Sequence, residues 1–179
     1  VDYTELMGLT PAAMEKLRAA LAGPNSYGVV GVAGVPGYAE ARREAFARAA
    51  HLAVHDADGR ERAAAIRQSY PGWNGQPGRE THPLQSNFLH NIKEEVGNCA
   101  VDTFYGKNVW PNEQLRAAFT ALNAAMYPVS VQVMRGCDAL VEEALGPRPA
   151  DRPSLAEIAE GGTTLAGRWI WYDSAYSRD

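Results

Sequence analysis

Only two cysteines, Cys99 and Cys137, occur in this chain of 179 residues. They are too few and too far apart for a disulfide framework or a zinc site, and they favour a reducing compartment. Positive charge is not in excess. Seventeen basic residues against 21 acidic ones give a net charge of −4, which offers no footprint for nucleic acid or an anionic membrane surface. No apolar run approaches the roughly 20 residues of a membrane span, because Gly, Pro and charge interrupt each candidate. Val1 stands where an initiating Met would, with no signal-peptide core behind it, which points to removal of an N-terminal segment, as after organellar import. There is no Ser-His-Asp order and no P-loop, and Gly28-x-x-Gly31-x-x-Gly34 has the wrong spacing for a dinucleotide fingerprint. What is present is a globular composition, 46% apolar and 21% charged, enough for one domain over 1–179 with a polar tail at 173–179.

Caps and periodicity place the elements. Thr10 and Pro11 start a helix over 12–22, which Gly23-Pro24 stops. The β-branched run at 28–32 predicts a strand, and Gly34–Gly37 turns the chain into a helix over 38–54. Ala41, Ala45, Phe46, Ala49 and Leu52 fall on one face of that helix. A short helix at 60–67 and an irregular loop at 69–83 follow, the loop rich in Pro and Gly and anchored by Tyr70 and Trp73. A strand is predicted over 88–92 and an irregular stretch over 101–109. A long helix over 111–145 comes next, kinked at Pro128 and closed by Gly146-Pro147. Its buried stripe is Leu115, Phe119, Leu122, Met126, Val129, Val133, Cys137, Leu140, Val141 and Leu145. Ser154 and Glu157 form a capping box for a helix over 154–160, and 163–172 reads as the last strand. The elements make an α+β fold, a helical layer dominated by the long helix on a few strands.

The order of these pieces resembles the iron(II)/2-oxoglutarate-dependent dioxygenases of the isopenicillin N synthase-like group. Gly28 to Pro36 is similar to the family's first strand and turn. Tyr70-Pro71-Gly72-Trp73, and Gly106-Lys107-Asn108-Val109-Trp110-Pro111 before a long helix, fall in the family's order. Residues 165–172 resemble its L-R-L-x-Y-Y-P strand. The resemblance covers nearly the whole chain but only the family's N-terminal half. It implies an incomplete jelly roll (double-stranded β-helix) without its catalytic half, since three or four strands fall short of the eight or so a roll needs.

That family binds Fe(II) with a His-x-Asp pair and a distant His. None of His51, His55, His82 or His90 is followed two residues on by Asp or Glu. Arg67-Gln68-Ser69 matches the letters of the family's 2-oxoglutarate clamp but lies far upstream of where the clamp belongs. In the last strand, Ile170 and Trp171 stand where the family places Asn or His and then Tyr near the cosubstrate. The chain is therefore expected to hold no metal and no cofactor, with Fe(II) and 2-oxoglutarate belonging to the family's other half. His51 and His55, at i and i+4 with Asp56 and Asp58 nearby, have metal-ligand spacing. Leu52 replaces the Glu of a zincin motif, so they read as surface or helix-end histidines. Cys137 reads as core packing, and His90 as a core histidine or a residue facing a cavity.

Two functions follow from the resemblance. The first is a non-catalytic, repurposed or truncated dioxygenase half acting as a structural subunit of a larger assembly. The alternative is half of a working oxygenase that hydroxylates or desaturates a small molecule, with the metal on the other half; Tyr70, Trp73, Phe88 and His90 would then border the substrate pocket. Strand parity bears on the first. Trp169 and Trp171 share one face, Ile170 and Tyr172 the other, so both faces are large and apolar at the end of the strand. The expectation is that another protein chain, a second copy or a different subunit, covers Trp169, Ile170, Trp171 and Tyr172.

Overall fold

Thr10 accepts a hydrogen bond from the Ala13 N–H at 3.2 Å and Pro11 fills the first helical position, so helix α2 runs Pro11–Leu21. Asp2 caps a preceding short helix, α1 (Tyr3–Met7), which the sequence pattern does not announce. The computed structural model describes residues 1–65, 71–75, 85–96 and 107–172. Their elements continue with α3 (Tyr38–His55), α4 (Ala57–Arg62), β1 (Gly72–Asn74), β2 (Gln85–Asn91), α5 (Ile92–Val96), α6 (Glu113–Leu145), α7 (Leu155–Gly161) and β3 (Ala166–Tyr172). This is a mixed helix and strand fold. The chain divides into two compact units, 1–39 with 124–162 and 40–123 with 163–179.

The first unit is helical. Leu6, Leu17 and Leu140 form its core, with Val30, Val32, Val129 and Val133 packed against them. Residues 28–32 are not a strand. Val30 and Val32 turn inward by period-two alternation, but the only bridge here joins Asp2 to Ala33, and Val29 is 68% exposed. An extended segment becomes a strand only with a partner along its length. The predicted capping box is present. The Ser154 side chain and the Glu157 N–H pair, Glu157 reaches back to the Ser154 N–H, and Asp138 accepts from Leu155 N at 2.9 Å and Ala156 N at 3.1 Å. Together these satisfy the N–H groups that a helix start leaves without partners.

The second unit carries an antiparallel sheet in the order β1-β2-β3. Trp73 pairs with Phe88 and Phe88 with Trp169, so these share a face with His90, Trp171 and Gly167. Asn74, Asn87, Leu89, Arg168, Ile170 and Tyr172 occupy the opposite face. Three sequence expectations are corrected here. Part of the predicted loop at 69–83 is β1, three residues whose pairing comes from a distant segment. The helix expected at 60–67 starts earlier, because Asp56 caps it by accepting from Gly59 N at 2.7 Å. The strand expected at 88–92 starts at Gln85 and yields to α5 at Ile92.

Helix α6 runs unbroken through Pro128. Its apolar positions are not one buried stripe. Leu115, Phe119 and Leu122 are buried in the second unit, and Leu140 in the first, whereas Met126, Val141 and Leu145 are 42%, 52% and 84% exposed. At about 100° per residue, Val141 and Leu145 lie about 100° and 140° around the helix from Leu140. Four-residue steps had carried the pattern off the packed face. Cys137 is half-buried, not core, and Phe46 on α3 is 41% exposed beneath Arg42.

Candidate functional site

The chemistry-bearing side chains of the second unit converge between β2 and the start of α6. Phe88 and His90 are i and i+2 on β2, so both point to the same side, and Phe119 and Asn123 are one turn apart on α6. The His90 ring meets Phe119 edge-on at 5.0 Å and Trp110 at 5.4 Å; Phe88 meets Trp110 at 5.1 Å and Phe119 at 5.9 Å. Gly167, opposite His90 on β3, is the close approach that makes room for the ring, since a Cβ there would collide with it.

Asn123 sits against His90 Nε2, its Nδ2 at 2.9 Å and its Oδ1 at 3.3 Å, and among the described residues His90 Nδ1 is buried with no hydrogen-bond partner. Burial pushes the His90 pKa down to about 4, against the opposing pulls of Asn123 and the Glu95 charge. The imidazole is therefore neutral at physiological pH and is not a cationic acid there.

A second layer of polar side chains closes the site. Glu95 accepts from Trp110 Nε1 and Arg116 Nε, each at 3.1 Å, from Thr120 Oγ1 at 3.2 Å and from Asn108 Nδ2 at 3.4 Å. Burial raises this carboxyl, but the bonds from Arg116, Asn108 and Trp110 outweigh it and hold the pKa below its ordinary value. Asn108 exchanges two bonds with the Asn91 backbone, at 2.6 and 2.9 Å. The Asn91 side chain accepts from Lys93 N and Leu165 N and donates to the Thr163 carbonyl. One asparagine thereby fixes the entry to both α5 and β3.

Of the pocket candidates, Tyr70 lies outside the described residues. Trp73, Phe88 and His90 are brought together on the sheet face that meets α6, at 5%, 0% and 2% exposure. Trp73 donates its indole N–H to the Gly75 carbonyl. Of the interface candidates, Trp169 is buried on that face and stacks on Trp171 at 5.9 Å; Ile170 is half-buried and Tyr172 67% exposed on the other. Sequence reasoning missed Asn91, Glu95, Asn108 and Asn123. Asn123 had one available signal, a polar residue one turn from Phe119 along an apolar stripe. Burial and the neighbouring Asp138 push the Cys137 thiol pKa up, which disfavours the nucleophilic thiolate.

Among the described residues, no group of three or more His, Cys, Asp or Glu side chains could hold a metal ion, and no helix is long and apolar enough to cross a membrane. No known protein-family model and no curated protein matches the chain.

Proposed function

We propose that this chain is a non-catalytic, dioxygenase-like half-roll that serves as a structural subunit, its sheet completed by another protein chain. The observation that carries the reading is the far side of β3. This seven-residue strand pairs with β2 on one edge and with no strand on the other among the described residues. Beside that edge the outward face carries half-buried Ile170, Leu89 at 8% exposure, and the Asn87 side-chain oxygen, buried without a partner. A strand edge without a partner strand recruits another strand unless it is covered or charged, and among the described residues Arg168 is the one charge on this outward face. The resemblance to the N-terminal half of a jelly roll supplies the completing partner, further strands of the same roll. Among the described residues no group of three His, Cys, Asp or Glu side chains could hold that family's iron, and no chemical step is assigned to this chain.

The working-oxygenase alternative draws on one observation, the make-up of the same outward face. Leu89 comes from 88–92, a segment that the resemblance places at the substrate pocket, and Arg168 lies opposite it with no ion-pair partner among the described residues. In that reading substrate lies over this face, away from Phe88 and His90.

Ile170→Lys with Tyr172→Lys charges the open side without touching the α6-packed face. Sedimentation should show that the double variant associates less than the unmodified chain at equal helicity, and neither should consume oxygen with Fe(II) and 2-oxoglutarate. Unchanged association would remove the edge from the account. Turnover would remove the non-catalytic role.

A further inference from the structure

His51 and His55 project from consecutive turns of α3, both exposed, with ring centroids 5.5 Å apart and planes inclined by 51°. Two imidazoles that share a metal at about 2.0–2.1 Å per nitrogen and a near-tetrahedral angle place their centroids roughly 5 Å apart. The pair therefore stands close to chelating separation before any ion arrives.

The turn that carries them is fixed. Leu52, between the two, is 2% exposed and anchors the opposite face with Ala45 and Ala49. Two of the four carbonyls that α3 would leave open at its end, those of Leu52 and Ala53, are taken, and a third bond closes the turn before them. His51 O accepts from Asp56 N at 3.2 Å, and Arg60 Nη1 donates to Leu52 O at 2.7 Å and Ala53 O at 2.9 Å. These bonds hold the turn that carries the two histidines, so the backbone part of the entropy of bringing two ligands together has been spent in folding.

The surroundings narrow the ligand class. His51 also lines a cleft of about 470 Å³ with Glu44, Arg48, Asp56 and Asn112. Both carboxylates there are engaged, Glu44 with Arg48 at 2.5 Å and Asp56 with Gly59 N at 2.7 Å. Arginine charges offset both, Asp56 facing Arg62 at 3.9 Å, so neither completes an oxygen cage, which leaves two nitrogen ligands and water. Imidazole suits Zn²⁺, Ni²⁺ and Cu²⁺, and an all-oxygen shell suits Mg²⁺ and Ca²⁺. We infer that His51 and His55 form a two-histidine surface site for a borderline divalent transition-metal ion, with water in the remaining positions. The site is independent of the subunit role proposed above.

Titration calorimetry of the tag-free chain with ZnCl₂ tests it, with MgCl₂ as the comparison. One equivalent of Zn²⁺ should bind, Mg²⁺ should not, and His51→Ala or His55→Ala should each weaken binding at least tenfold while leaving the circular dichroism unchanged. His82→Ala should keep the wild-type affinity. Cu²⁺ bound to the unmodified chain should show hyperfine coupling to two nitrogens, and to one in either single variant. Zinc binding that survives both single alanine variants, or no binding at micromolar protein and metal, would overturn the inference.

Discussion

The first unit buries Leu6, Leu17 and Leu140, and its ion pairs Lys16–Glu5, Arg18–Glu143 and Arg135–Glu160 are exposed; the second buries His90, Asn91, Lys93 and Asn123 among its aromatic residues. Gln132 is the first unit's exception, and it donates to the Met7 carbonyl at 3.1 Å. The difference matters because an apolar core that loses a partner loses burial and gains a cavity, whereas a buried polar network also leaves stranded donors when one member goes. Exposed ion pairs contribute little in either unit. Sensitivity to the loss of a polar side chain should therefore divide between the two units, and the tryptophans make this measurable. All four (Trp73, Trp110, Trp169 and Trp171) belong to the second unit, so tryptophan fluorescence reports on it alone.

The largest expected effect comes from Glu95→Ala. The side chain is 4% exposed and gathers four donors; its loss leaves Trp110 Nε1 and Thr120 Oγ1 without that acceptor, whereas Arg116 is 47% exposed and keeps Glu113 at 3.7 Å, and Asn108 keeps the Asn91 carbonyl. Leaving a part-buried donor unpaired costs about 1–3 kcal/mol for each, and the urea midpoint followed by tryptophan fluorescence should fall accordingly. A shift under about 1 kcal/mol would break the comparison.

Acid should be nearly as damaging. His90 has a folded pKa of about 4 against an ordinary 6.5, so between those values the unfolded chain binds more protons. Stability is complete above pH 6.5, is lost as pH falls toward 4, and then levels; the span is roughly 3 kcal/mol. His90→Gln keeps a hydrogen-bonding side chain that does not titrate, and it should flatten the fluorescence-monitored stability between pH 6.5 and 5. The lowered carboxyl of Glu95 acts only below its ordinary range, so it does not mask this window.

Ser154→Ala is the smallest change, a lost cap in the first unit worth about 1 kcal/mol. Hydrogen exchange over α7 should quicken while the tryptophan signal keeps its midpoint. A fall in that midpoint would show that the two units do not respond separately.

What could be seen in the sequence follows the same division. Thr10, Pro11, Ser154 and Glu157 act within one turn of themselves, so their helices were readable from local pattern. Strand β1 has three residues and owes its existence to β2, and nothing within 69–83 announces that pairing. The network was hidden because Asn91, Glu95, Asn108, Asn123 and Leu165 meet only after folding. Residue parity did separate the faces of β3, with Trp169 and Trp171 together against Ile170 and Tyr172. It did not foresee that Phe88 and His90, picked for a pocket, would face α6.

The central claim is that the open side of β3 is completed by another protein chain. Light scattering after size exclusion tests it on the unmodified chain, whose single-copy mass is 19.4 kDa. The account predicts a mass above that value, rising with concentration and brought down to one copy by Ile170→Lys with Tyr172→Lys. A monodisperse 19.4 kDa species across the whole concentration range would contradict it.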